Sequence, residues 1–104
     1  MTARRPRRRY LRFLVASERR YREGEVADAI RGGVLRIYGV RGLSQIAPVL
    51  IEFDELGQTG ILRCSHIHLR RMRASLAYTT EICGSAASLR VLRVSGTLKS
   101  LRTG

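Results

Sequence analysis

Three groups of residues have the types and spacing to do chemistry. The first is arginine. Arg4, Arg5, Arg7, Arg8, Arg9 and Arg12 crowd the N-terminus, Arg63, Arg70, Arg71 and Arg73 gather mid-chain, and Arg90, Arg93, Lys99 and Arg102 lie toward the C-terminus. A guanidinium is a planar fork that grips a phosphate through two N–H bonds and stacks on flat rings, whereas an ammonium is a point charge. Arg70 and Arg73 are one helical turn apart and Arg63 precedes them. Guanidiniums rimming the start of a helix suit phosphate oxygens. A solvated helix face usually mixes signs, yet the next acid here is Glu81.

The second group is Cys64, His66 and His68, which alternate, with Cys83 downstream. Zinc sites pair their ligands as C-x₂₋₄-C with a second pair, and alternation across a strand-to-helix junction would scatter these four. A buried small thiol and surface histidines are the expectation, with no metal bound. The third group is Glu52, Asp54 and Glu55. Glu52 and Asp54 would share a strand face that a Mg²⁺ could use, but the solvent side of a hairpin is the simpler reading. Neither histidine has an evident carboxylate to orient it, so no nucleophile–base pair is legible. No catalytic residue and no cofactor bound by the polypeptide are expected.

The elements that must position these groups come from 104 residues, enough for one domain, with a hydrophobic fraction of 44% that argues against disorder. Twenty Lys and Arg oppose eight Asp and Glu, a net charge of +12, and Lys99 is the only lysine. Such an excess repels itself, and a polyanionic partner relieves it. Residues 1–22 carry nine Arg and one Glu, a net +8. Residues 1–9 therefore read as a basic flexible arm and 10–104 as a single domain. Two cysteines do not make a secreted disulfide scaffold. No apolar run reaches the length of a membrane span, and the chain reads as cytoplasmic with no membrane partner.

Tyr10 to Ser17 reads as a strand with Leu11, Phe13 and Val15 on one face and Tyr10, Arg12 and Leu14 on the other. From Glu23 to Tyr38, Val26, Ala29, Ile30, Gly33, Val34 and Ile37 recur at helical spacing, with acids near the start and Gly39 to end it. The Gly32-Gly33 pair weakens that helix by about 1 kcal/mol each, and a close approach to the sheet would compensate. Residues 49–54 and 60–64 read as a hairpin. Ser65 then caps a second helix carrying Leu69, Met72, Leu76, Thr80 and Cys83 to Gly84, and residues 88–95 form a last strand. The order βαββαβ predicts an α+β, ferredoxin-like or RNA-recognition-like split βαβ sandwich: a four-stranded antiparallel sheet with two main helices. The third strand lacks the aromatics on which an RNA-recognition motif stacks bases. Its outer face is expected to meet protein, or RNA by shape and charge.

Arg8-Arg9-Tyr10-Leu11-Arg12-Phe13, Gly60-Ile61-Leu62-Arg63-Cys64 and Val94-Ser95-Gly96-Thr97-Leu98-Lys99 together resemble the archaeal ribonuclease P protein component 2 family, counterpart of the eukaryotic Pop-five subunit. The likeness spans about residues 7 to 102. It implies an RNA-recognition-like sandwich without the stacking motif. It also implies a non-catalytic subunit of an endoribonuclease that removes the 5′ leader of precursor tRNA, the chemistry being done by an RNA with Mg²⁺. The implied partners are the ribonuclease P RNA, precursor tRNA, protein component 3 and other subunits, with self-association between pairs. Arg8, Arg9, Tyr10, Arg63 and Lys99 match family motif positions, and Arg7, Arg12, Arg70, Arg71, Arg73 and Arg102 complete the expected RNA-binding set. The Gly32-Gly33 pair departs from the family, where bulkier residues are usual. Two rivals stand beside this: another basic ribonucleoprotein component of the ribosomal-protein kind, and a ferredoxin-like ligand-binding or small-enzyme domain.

Overall fold

Period-two burial builds the sheet and period-3.6 burial builds its cover. The computed structural model describes residues 7–103. In chain order they form β1 (Arg8–Ala16), α1 (Glu23–Ile46), β2 (Val49–Asp54), β3 (Thr59–Ser65), α2 (Leu69–Tyr78), β4 (Glu81–Ile82), β5 (Ser85–Ala86), β6 (Ser88–Ser95) and α3 (Leu98–Thr103). The main sheet has the order β2-β3-β1-β6 and is antiparallel throughout. That is the predicted α+β sandwich with two main helices. Among the described residues no helix is long and apolar enough to cross a membrane.

Leu11, Phe13 and Val15 of β1, Leu62 and Cys64 of β3 and Leu89 of β6 meet Val26, Ile30 and Val34 of α1 and Met72 and Leu76 of α2 in one buried cluster. The Phe13 ring lies against Gly60, where a Cβ would stand 2.8 Å from Phe13 Cζ and 2.9 Å from the Glu52 carbonyl oxygen. Phe13 also stacks on Phe53, centroids 6.3 Å apart.

Four expectations change. First, β1 starts at Arg8 because the ladder continues past Tyr10: Arg8 faces Ser65, Arg9 faces Cys64, and the His66 N–H donates to the Arg7 carbonyl at 3.0 Å. The arm expected over residues 1–9 thus yields Arg8 and Arg9 to the sheet, while Arg4 and Arg5 lie outside the described residues. Second, Gly39 breaks α1 without ending it. Its φ of 72° and ψ of −174° interrupt the helix, which resumes to Ile46; glycine takes such a positive φ at little cost. Third, Gly33 makes its close approach to α2, not to the sheet. A Cβ there would stand 3.3 Å from Thr79 Oγ1 and 3.4 Å from Ser75 Oγ. Nothing lies near enough to Gly32 to explain it.

Fourth, the second helix is shorter at both ends. Ser65 makes no side-chain cap, and a 3₁₀ turn, His66–His68, leads into Leu69. The helix stops at Tyr78 because Thr79 turns extended, so Thr80 and Cys83 leave the apolar stripe. Cys83 (φ 51°) and Gly84 (φ 79°) are the two central residues of the β4–β5 hairpin, the positive pair that a tight primed turn requires.

The segment after Gly96 forms α3. The Ser100 N–H donates to Thr97 Oγ1 at 3.3 Å, an N-cap. Leu101 is fully buried and Ile61 nearly so, yet neither belongs to the cluster between sheet and helices. They lie on the other face, where α3 crosses the sheet.

Candidate nucleic-acid interface

Strand alternation sorts the basic residues. Because Leu11 and Phe13 point to the helices, Arg8, Tyr10 and Arg12 point away from them. Arg63 of β3 stands opposite Tyr10, and Arg93 of β6 stands directly opposite Arg12. Arg90 pairs with Leu14 on the same outer face. Arg9 has the opposite parity and lies against Gly96, its Nη1 2.6 Å from where a Cβ would be.

The short α3 is held across this face by polar contacts. Arg12 Nη1 donates to the Leu101 carbonyl at 3.4 Å, and Arg93 Nη2 donates to Ser100 Oγ at 3.3 Å. Arg102 reaches Glu52 Oε1 through Nε at 2.9 Å and Nη2 at 2.7 Å. Lys99 is exposed on α3. Three expected members of the set, Arg12, Lys99 and Arg102, therefore share one surface with Arg63 and Arg8.

The mid-chain group divides. Arg70 and Arg73 are exposed on α2, in the helix layer, while Arg63 lies on the far side of the sheet. Arg71 braces the break in α1: its guanidinium sits 4.5 Å from the Tyr38 ring centroid, and Nη1 donates to Gln45 Oε1 at 3.0 Å and lies 3.4 Å from His68 Nδ1. A cation over an aromatic face contributes about 0.5–1 kcal/mol at an exposed site. Sequence reasoning did not single out Arg31, Arg36 and Arg41. All three are exposed on α1, which carries no acid beyond Asp28, and they add positive charge to the helix layer that also holds Arg70 and Arg73. Their signal was the lack of acids from 29 to 46.

Four of the carboxylates, Glu25, Glu52, Asp54 and Glu55, have partners of their own. Among the described residues the ion pairs are Arg19–Glu25 at 2.6 Å and Arg102–Glu52 at 2.7 Å. Asp54 Oδ1 accepts the Leu56 N–H at 3.1 Å, and Glu55 Oε2 accepts the Glu23 N–H at 3.2 Å. The Arg22 backbone N–H, joined by Cys83 and Arg19 and opposed by partial desolvation, holds the Glu25 carboxyl below its usual range. Cys64 is buried in the core, and burial pushes its thiol up to about 11, which makes it a poor nucleophile. Cys83 sits on the hairpin turn, away from Cys64. Among the described residues no three His, Cys, Asp or Glu side chains gather as a metal site would need.

The model of the Rpp14/Pop5 family matches residues 9–103. Proteins named ribonuclease P protein component 2 from Pyrococcus furiosus and Thermococcus gammatolerans are 41% and 43% identical to this chain, over 94% of it and 82% of each relative. A chain in the cryo-electron-microscopy structure of yeast ribonuclease MRP superposes with a TM-score of 0.72 at 16% identity, covering 93% of this chain and 79% of that one; it shares the fold. A family match running from the first strand to the last helix, and relatives 41% and 43% identical over nearly the whole chain, give one conclusion: the chain belongs to the Rpp14/Pop5 family.

Proposed function

We propose that this chain is the component 2-type protein subunit of ribonuclease P, which binds the catalytic RNA and supports endonucleolytic removal of the 5′ leader from precursor tRNA. The observation that carries it is the match to ribonuclease P component 2 proteins over 94% of the chain. The distribution of charge supports the same reading. Arginines stand on both the outer sheet face and the helix layer, and of those described only Arg19 and Arg102 are paired with acids. The polypeptide supplies no chemistry of its own, and the Mg²⁺ belongs to the RNA. Its arginines neutralise crowded phosphates, release their counterions and let RNA helices pack more closely than their own repulsion allows. Arg7, Arg8, Arg9, Arg12, Arg63, Arg70, Arg73, Lys99 and Arg102 carry this role, with Tyr10 beside Arg63; Arg71 acts through the fold that it braces. Protein component 3, other subunits and a second copy of this chain are its protein partners, and it works in the cytoplasm.

Precursor-tRNA cleavage reconstituted with and without this chain tests the proposal. The chain should raise cleavage at limiting Mg²⁺, and no change would count against it. Binding to the RNA should weaken about a thousandfold between 50 and 200 mM salt if six phosphates are contacted. A flat response would refute the electrostatic mechanism.

A further inference from the structure

At one end of the sheet the chain encloses a concavity of about 260 Å³. Arg7 and Arg8 at the start of β1, Arg63 near the end of β3, and Ser44, Gln45 and Ser65 line it. Three arginines thus line it from two strands that are distant in sequence, brought to one end of the sheet by the β1–β3 register that sets Arg8 opposite Ser65. None of the three is in an ion pair among the described residues. The Gln45 amide is already oriented, because its oxygen accepts from Arg71; what it has left to offer is its N–H₂ donor. Ser44 and Ser65 add hydroxyls. The lining is therefore rich in donors and holds no carboxylate.

A simpler account is that the arginines answer the negative end of α1, which ends at Ile46 with no basic residue in its last turn. That end amounts to about half a charge, so more than two of three positive charges stay uncompensated. The concavity holds the volume of eight or nine waters at about 30 Å³ each. It suits one phosphodiester with a flanking sugar and is too small for a duplex. Tyr10 stands two residues from Arg8 and opposite Arg63, on the outer face beside it.

We propose that this concavity is a seat for one backbone phosphate of an RNA strand, gripped by Arg7, Arg8 and Arg63, with Gln45 and Ser65 as neutral donors. This rests on the RNA-binding role above and assigns it a specific place. Of the concavities that arginines line, this one has three of them and no carboxylate, whereas the one beside Arg12 and Arg102 also holds Glu52 and Asp54; the seat fixes the position of a single nucleotide against the protein.

The test is titration of the full isotope-labelled chain with a hexamer of oligouridylate and, separately, with inorganic phosphate at constant ionic strength. The Gln45 and Ser65 amide signals should move with both ligands, and the hexamer should half-saturate at a concentration at least tenfold lower. Arg63→Gln should abolish the movement and lower the salt slope of hexamer binding by about 0.7, while Arg63→Lys should restore part of it. Should Arg63→Gln fail to fold, Arg8→Gln alters an exposed side chain and makes the same prediction. Shifts from phosphate alone would mean a free-anion site and overturn the proposal. Hexamer binding that leaves Gln45 and Ser65 unmoved would also overturn it, while sparing the RNA-binding role. No hexamer binding even at low salt would remove both.

Discussion

Leu62 and Ile61 are neighbours in β3 and both are almost withdrawn from water, at 0% and 6% exposure, yet different structures cover them. Leu62 faces a cluster to which β1, β4, β6, α1 and α2 contribute large apolar side chains. Ile61 faces the outer side, where a six-residue helix, α3, is held by Leu101 and by contacts from Arg12, Arg93 and Arg102. A helix that short has no stability of its own in water. The inner face is thus held by a large buried area, which salt hardly touches, and the outer face by Leu101 over Ile61 and a few polar contacts set among like charges. The protein keeps its adjustable surface apart from the surface that folds it.

Leu62→Ala gives the largest expected effect on the comparison, because truncating a fully buried leucine costs about 2–5 kcal/mol. Denaturant unfolding should show that loss at low and high salt alike; a loss that halves in salt would mean that the inner face is not purely apolar in its energetics. Cys64, also on the inner face, gives a pH signature. Its thiol is raised to about 11 in the fold against 9.0 when exposed. Unfolding releases its proton between those values, so stability is full below about pH 9 and falls as pH climbs toward 11. Cys64→Ala should flatten that decline, and an unchanged decline would assign it to other groups. On the outer face, Leu101→Ala should cost less than Leu62→Ala, since the loss cannot exceed whatever docks α3. Hydrogen exchange should quicken in residues 98–103 while β1 and β3 stay protected; equal loss of protection would merge the two faces into one unit. Glu52→Gln gives the smallest effect, within about 1 kcal/mol for an exposed pair. It releases Arg102, so affinity for RNA should rise slightly even as α3 loosens, and a fall in affinity would place Arg102 outside the interface.

The four long strands, two helices and their order were legible because each carries enough periodic residues to show its buried face: Leu11, Phe13 and Val15 alternate, and Val26, Ile30 and Val34 repeat at a helical period. Short elements left no such trace. In β4–β5 each strand has two residues, and Cys83-Gly84 looks like a helix stop when it is a hairpin turn. The signal for α3 was Thr97 as its cap, which six residues of pattern could not amplify. At the interface, alternation correctly separated Arg12 from Leu11. Arg63 with Arg70 and Arg73 looked contiguous in sequence, and the thickness of the sheet parts them. Conversely, Arg7, Arg8 and Arg63 come to line one concavity only through the β1–β3 register, which depends on contacts far apart in the chain.

Arg12 and Arg93 face each other across β1 and β6. Directly opposed residues of an antiparallel pair have Cβ atoms about 4.5–5.5 Å apart, and like charges there are destabilising. The chain alone therefore stores a repulsion that dissolved ions relieve, so its resistance to heat should grow with ionic strength. If the chain binds RNA as proposed, phosphate would screen this charge, and added salt would instead pull the assembly apart. The solitary and the assembled protein would then have opposite preferences for their medium.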